Sequence, residues 1–137
     1  MKKFKDAKYK VFINSKFTND YLRVGELLIK GKSEKINVLI AHLCHPAMAD
    51  DDLTGCAVLT EIAKKLIKRE NNYTYLILFV PETIGSVAYL SQHEELIPRI
   101  KYGIFFEMLG NKTKLSLQLS KQGDAKIDQA ASYVMGK

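Results

Sequence analysis

The chain is poor in the features that mark specialised protein classes. Its 137 residues include two cysteines, Cys44 and Cys56, too few for a disulfide scaffold, so a reducing compartment would keep both as thiols for packing, ligation or reactivity. No apolar run approaches the ~20 residues that a membrane-spanning helix needs. Hydrophobic residues at 47% and charged residues at 26% are ordinary for a soluble globular protein. The basic N-terminus MKKFKDAKYK is not followed by the apolar core, about 7–15 residues long, of a secretory signal. A soluble, cytoplasmic protein without a membrane partner is expected. No internal repeat, low-complexity tract or linker divides it. Residues 1–137 suffice for one domain that buries about two thirds of its unfolded surface.

Positive charge is in excess without being concentrated. A net charge of +6 and a pI near 9.2 raise the question of a polyanionic partner. The lysines, however, are spread from Lys2 to Lys137, no run of five basic residues occurs, and aromatic and basic residues do not interleave. A solvated basic surface is expected, and no nucleic acid partner. A basic module for a polyanion or acidic glycan is the non-enzymatic alternative.

Hydrophobic periodicity outlines the elements. KYKVFINS (8–15) and YLRVGELLIKG (21–31) partly alternate and suit an antiparallel strand pair turning around Asn19 and Asp20. INVLIAHL (36–43) is almost continuously apolar, as in a strand covered on both faces. Cys56, Leu59, Ala63 and Leu66 recur at helical spacing, which places Cys56 in the core. Asp52 or Thr54 could cap that helix, and it should run to about Arg69. YTYLILFV (73–80) is a second buried strand ended by Pro81, IGSVAYLSQHEELI (84–97) a helix broken by Pro98, and KYGIFFEML (101–109) a third central strand. KLSLQLS (114–120) alternates like a strand with one wet face, and DAKIDQAASYVM (124–135) reads as a closing helix. The order implies an α/β sandwich with a mixed, centrally parallel sheet.

In such sheets ligands gather beyond the carboxyl ends of the strands. The first central strand delivers His42 and His45 there, with Asp50, Asp51 and Asp52 behind; the second delivers Glu82 and the third Glu107. Carboxylates so placed are costly unless paired or bound to a cation. Imidazole with carboxylate suits zinc, and also manganese or cobalt, whereas calcium takes oxygen alone. The competing explanation makes Asp50 and Asp52 an acidic helix entrance, Glu82 a cap and Glu107 a solvent-facing strand end. His93, in a polar helix, is read as a surface residue. A nucleophilic Cys44 with His45 as base is disfavoured, because neighbours on a strand point to opposite faces.

The segments AHLCHPAMADDDLTGCAVLTEIAKKL, VPETIGS and YGIFFEML resemble the zinc aminopeptidase superfamily that includes bacterial leucyl aminopeptidases and glutamate carboxypeptidase. The nearest likeness is to an aminopeptidase-like branch found among bacterial polysaccharide-biosynthesis genes, and QGDAKID fits that branch. The resemblance spans about residues 10–135. It implies a three-layer, zinc-exopeptidase-like sandwich binding one or two Zn2+ ions and hydrolysing a small peptide or amide, and it leaves a homo-oligomer open. His42 and Asp51 fall at ligand positions, with His45 the alternative histidine, Glu107 at a further ligand position and Glu82 at that of the general base. Two departures are plain. Pro81 stands where the superfamily has a second glutamate, and no histidine follows His93, so the superfamily's final histidine ligand has no counterpart here and a chain truncated at its C-terminus is expected. A catalytically degenerate member is the alternative within the family.

Overall fold

The structure, a computed structural model, describes residues 6–136. Four strands form one mixed sheet in the order β1-β3-β2-β4. They are β1 (Gly25–Ile29), β2 (Ser33–His42), β3 (Tyr73–Val80) and β4 (Ile100–Phe105). β2 runs parallel to both β3 and β4, and β1 runs antiparallel to β3. The two central strands are the near-continuous apolar runs, and the reason is visible in their alternation. Leu39, Ala41 and Ile77 face one way, where Leu59, Ala63 and Leu66 of α1 (Gly55–Ile67) cover them. Val38, Leu76, Leu78 and Val80 face the other, beneath Tyr89 and Leu90 of α2 (Ile84–Gln92) and Leu96 of the 3₁₀ turn Glu94–Arg99. Helices thus cover both sheet faces, and the period of two in β2 and β3 meets the period of 3.6 in α1.

Parallel pairing places the carboxyl ends of β2, β3 and β4 along one rim: His42 lies opposite Val80, and Ile40 opposite Phe105. The helix α3 (Lys126–Val134) closes the described chain. Asp128 anchors its first turn, accepting hydrogen bonds from the Ser120 N–H and hydroxyl and the Ala125 N–H. Among the described residues no helix is long and apolar enough to cross a membrane.

Three expectations need correction. Residues 8–15 are not a strand and do not pair with 21–31, and no hairpin turns at Asn19 and Asp20; only Gly25–Ile29 is extended in the sheet, beside β3. An isolated hairpin is marginal without a third strand or helix over its apolar face, and here Val11, Phe12 and Ile13 are exposed. Residues 114–120 are likewise outside every strand, because a cavity of about 600 Å3 separates them from β4. Pro98 does not break a helix but lies inside the 3₁₀ turn, after α2 has already ended at Gln92.

Candidate metal centre at the strand rim

His42, the last residue of β2, is 1% exposed and held on every side. Its backbone N–H donates to Asp52 Oδ2 at 3.2 Å, and its carbonyl accepts from the Cys56 thiol at 3.3 Å. The ring stacks on Phe105 of β4, with centroids 6.0 Å apart and planes 10° from parallel. Nε2 lies 2.8 Å from Asp51 Oδ1 and 3.6 Å from Glu107 Oε1, and Nδ1 lies 3.3 Å from Cys44 Sγ. One nitrogen of a fixed, buried imidazole is therefore turned toward two carboxylates that are partly open to solvent.

The ligand atoms of His42, Asp51 and Glu107 all lie within 4.8 Å of one another. His42, Cys44 and His45 form a second trio by the same measure, sharing the same imidazole. His45 stands outside the carboxylate trio, with Nε2 3.8 Å from Asp51 Oδ2 and Nδ1 3.1 Å from the Pro46 carbonyl. Contrary to the expectation from strand alternation, Cys44 and His45 reach the same imidazole, because β2 ends at His42 and alternation no longer governs the loop. Burial pushes the Glu107 carboxyl above its usual range; His42 pulls it down, and Glu82, Asp51 and Asp52 push it up again. Glu82 thus lies within electrostatic reach of Glu107, though it joins neither trio. His93 is apart from both, stacked on Tyr89 at 4.3 Å. Cys56 is half-buried, packed against the α1-side core, and its thiol is held protonated by burial and by Asp52.

The three aspartates divide their labour. Asp52 is fully buried, and its carboxylate accepts the N–H groups of His42, Gly55 and Met108, at 3.2, 2.9 and 3.1 Å. It satisfies the Gly55 N–H at the start of α1, although the N-cap position belongs to Thr54, which makes no side-chain cap hydrogen bond, and it also ties β2 to the loop after β4. Asp50 accepts from the Gly110 N–H at 2.7 Å and from Asn111 Nδ2 at 3.1 Å. Thr54 donates to Asp50 and accepts the Leu109 N–H at 3.0 Å. Residues 108–111, which follow Glu107 directly, are thereby fastened to the acidic loop. Only Asp51 has a carboxylate left to face the imidazole. Gly55 and Gly110 permit this closeness: a Cβ on Gly55 would strike the Asp52 carboxylate and the Phe106 carbonyl, and one on Gly110 would strike Thr54.

The roles of Asp50, Thr54, Gly110 and Asn111 as fasteners of the Glu107 loop were not foreseen. The available signal was the clustering of side-chain acceptors in DDDLT with a glycine-containing turn, LGN, after FFEM. The loops after β2, β3 and β4 each carry one non-glycine residue in the left-handed region: Ala47 (φ 57°), Thr83 (φ 59°) and Met108 (φ 48°). Thr83, β-branched, is the most costly of the three. Such strain collects where surrounding contacts over-determine a site.

Residues 10–137 match the family described as Domain of unknown function (DUF4910). Over 130 residues, 95% of this chain, the sequence is 38% identical to a Clostridium acetobutylicum protein provisionally described as a polysaccharide biosynthesis protein with aminopeptidase-like domain. A crystal structure from the same organism, provisionally described as a peptidase, is similar at a TM-score of 0.74 and 38% identity over 81% of this chain. The chain spans 30% of the first relative's length and 26% of the second's.

Proposed function

The chain belongs to the DUF4910 family, which it matches over residues 10–137, and from that membership and its rim cluster we propose that it is a zinc-dependent hydrolase of the aminopeptidase type. The observation that carries the reading is His42 Nε2 at 2.8 Å from Asp51 and 3.6 Å from Glu107. One neutral imidazole and two carboxylates, converging from the end of β2 and from two loops, form a donor set that fits zinc. His42, Asp51 and Glu107 would hold the ion. When bound, it supplies Lewis acidity and lowers the pKa of water toward ~7. Similarity to relatives described as peptidase and aminopeptidase-like supports peptide or amide bonds as the target, and the first relative's description supports a setting in polysaccharide biosynthesis. Helices on both sheet faces support a three-layer, zinc-exopeptidase-like arrangement. Two free thiols support a cytoplasmic location.

The chain's own groups then have separate tasks. With a cation bound, Cys44 Sγ, 3.3 Å from His42 Nδ1, would accept the Nδ1 proton and so leave the Nε2 lone pair to the ion. Stacking on Phe105 fixes the ring. Glu82, at the end of β3, takes the proton of the attacking water on a carboxylate oxygen and delivers it to the departing amine.

Titration calorimetry on the wild-type chain tests the reading directly. About one zinc per chain is expected, and no uptake removes it. Glu82→Gln should keep zinc binding and lower hydrolysis of short peptide amides by about 10²–10⁴-fold. A second reading is favoured by Pro81, which stands where the resembling superfamily has a second glutamate: a metal-binding member without turnover. Zinc uptake with no hydrolysis by the wild type or by Glu82→Gln selects it.

A further inference from the structure

His45 has no task in the hydrolase reading, and Cys44 only holds a proton there. Yet the two bring ligand atoms within 4.8 Å of each other and of His42. The chain leaves β2 at His42 and turns through Pro46 and Ala47, the latter in the left-handed region at φ 57°, so both residues stay beside the ring they have just passed. Cys44 is an exposed free thiol, and its Sγ lies 3.3 Å from His42 Nδ1. The remaining ring nitrogens face oxygens. His42 Nε2, 2.8 Å from Asp51 Oδ1, can donate its proton to that carboxylate, and His45 Nδ1, 3.1 Å from the Pro46 carbonyl, can donate to that oxygen. In those tautomers His42 keeps its Nδ1 lone pair on the Cys44 side, and His45 keeps the one on Nε2. A ring whose other N–H is held by a carboxylate or a backbone carbonyl is the usual form of a metal-ligating histidine.

We propose that Cys44, His45 and Nδ1 of His42 form a second cation site, for a thiophilic ion of the Cu(I) or Cd2+ kind, and that it shares the imidazole with the carboxylate trio so that only one of the two is filled at a time. One thiolate and two imidazoles, with no carboxylate among the ligands, make a softer donor set than His42, Asp51 and Glu107, and ligand type is what sorts such ions. Binding forms an ion–sulfur bond while the Cys44 thiol gives its proton to solvent. Asp51 changes task between the two sites. It is a ligand to an ion on Nε2, and it accepts the Nε2 proton when the ion sits on Nδ1. A neutral imidazole has one lone pair to give, so an ion on Cys44 withdraws His42 from the carboxylate trio. The inference goes beyond the zinc reading, and a chain that took up no zinc would leave it standing.

The test is titration of the reduced chain with Cd2+ alone, following the ultraviolet thiolate-to-cadmium charge-transfer band and, by calorimetry, the number of ions bound. About one Cd2+ per chain is expected, with the band. Cys44→Ser should abolish the band, and His45→Ala should weaken Cd2+ binding at least about tenfold. Cys56→Ser, which removes a thiol that bonds the His42 carbonyl and belongs to neither trio, should keep the band. So should Glu107→Gln, which touches only the carboxylate trio. Absence of the band in the wild type overturns the proposal, as does a band that survives Cys44→Ser, disappears in Cys56→Ser, or binds as tightly in His45→Ala as in the wild type. A second Cd2+ bound together with the first, and lost in Glu107→Gln, overturns the sharing of the imidazole.

Discussion

Asp51 and its two neighbours occupy one tripeptide yet live in different physical surroundings. Asp52 is buried with three backbone N–H groups on its carboxylate, and Asp50 receives Thr54, Gly110 and Asn111. Asp51, 52% exposed at its side chain, meets only the imidazoles of His42 and His45. The outer two aspartates spend their acceptor capacity on the fold, and the middle one keeps its capacity for a ligand. A carboxylate's task here follows from how many donors already face it, not from its residue type.

The largest effect should come from breaking the structural side of this contrast. Asp52→Ala leaves three N–H groups without acceptors and unties β2, α1 and the loop after β4, so a loss of about 3–5 kcal/mol is expected in urea unfolding. A loss equal to that of an exposed substitution would erase the distinction. Gly55→Ala keeps every acceptor but drives a methyl group into the Asp52 carboxylate and the Phe106 carbonyl. Its cost should be about 1–3 kcal/mol, read from the same unfolding curves.

Asp50 should sharpen the contrast through pH. Burial raises its pKa, but hydrogen bonds from Thr54, Gly110 and Asn111 outweigh that and hold it below the ordinary 3.8. A carboxyl with a depressed folded pKa contributes stability that is present above the unfolded value and lost as pH falls through the folded one. The wild type should therefore lose stability below pH 3.8 more steeply than Asp50→Asn. Asp128, lowered by its bonds from Ser120, keeps its own share of the acid slope in both proteins. Equal acid slopes in wild type and variant would refute this assignment.

The central sheet and α1 were legible because their signal is redundant: INVLIA and YTYLILFV are apolar on both faces, and Leu59, Ala63 and Leu66 repeat at helical spacing. That His42, Asp51 and Glu107 lie close together was legible because strand ends in a parallel sheet share one rim, whereas the choice of Asp51 among the three aspartates and of His42 over His45 rests on the family resemblance. What alternation alone suggested at 8–15 and 114–120 did not become strand, since a period of two is only permission to pair and needs a neighbour at hydrogen-bonding distance. The grip of Asp50 and Thr54 on residues 109–111 was illegible for a related reason. It joins segments more than 50 positions apart, and nothing local in DDDLT announces the partner.

Asp51→Asn should have the smallest effect on the apo fold and the most specific effect on the site. Its carboxylate accepts no backbone N–H, and its contact with His42 is half open to water, so the apo protein should lose no more than about 1 kcal/mol. Zinc added at about 100 times its dissociation constant should stabilise the wild type by about 2.7 kcal/mol. The variant, short one ligand of three, should show little of that gain, while Asp50→Asn, still carrying the trio, should show nearly all of it. Thermal unfolding with and without zinc measures both. Equal zinc gains in Asp51→Asn and the wild type would move the cation to the His42, Cys44 and His45 trio, where a Cys44→Ser variant would then be the one to lose it.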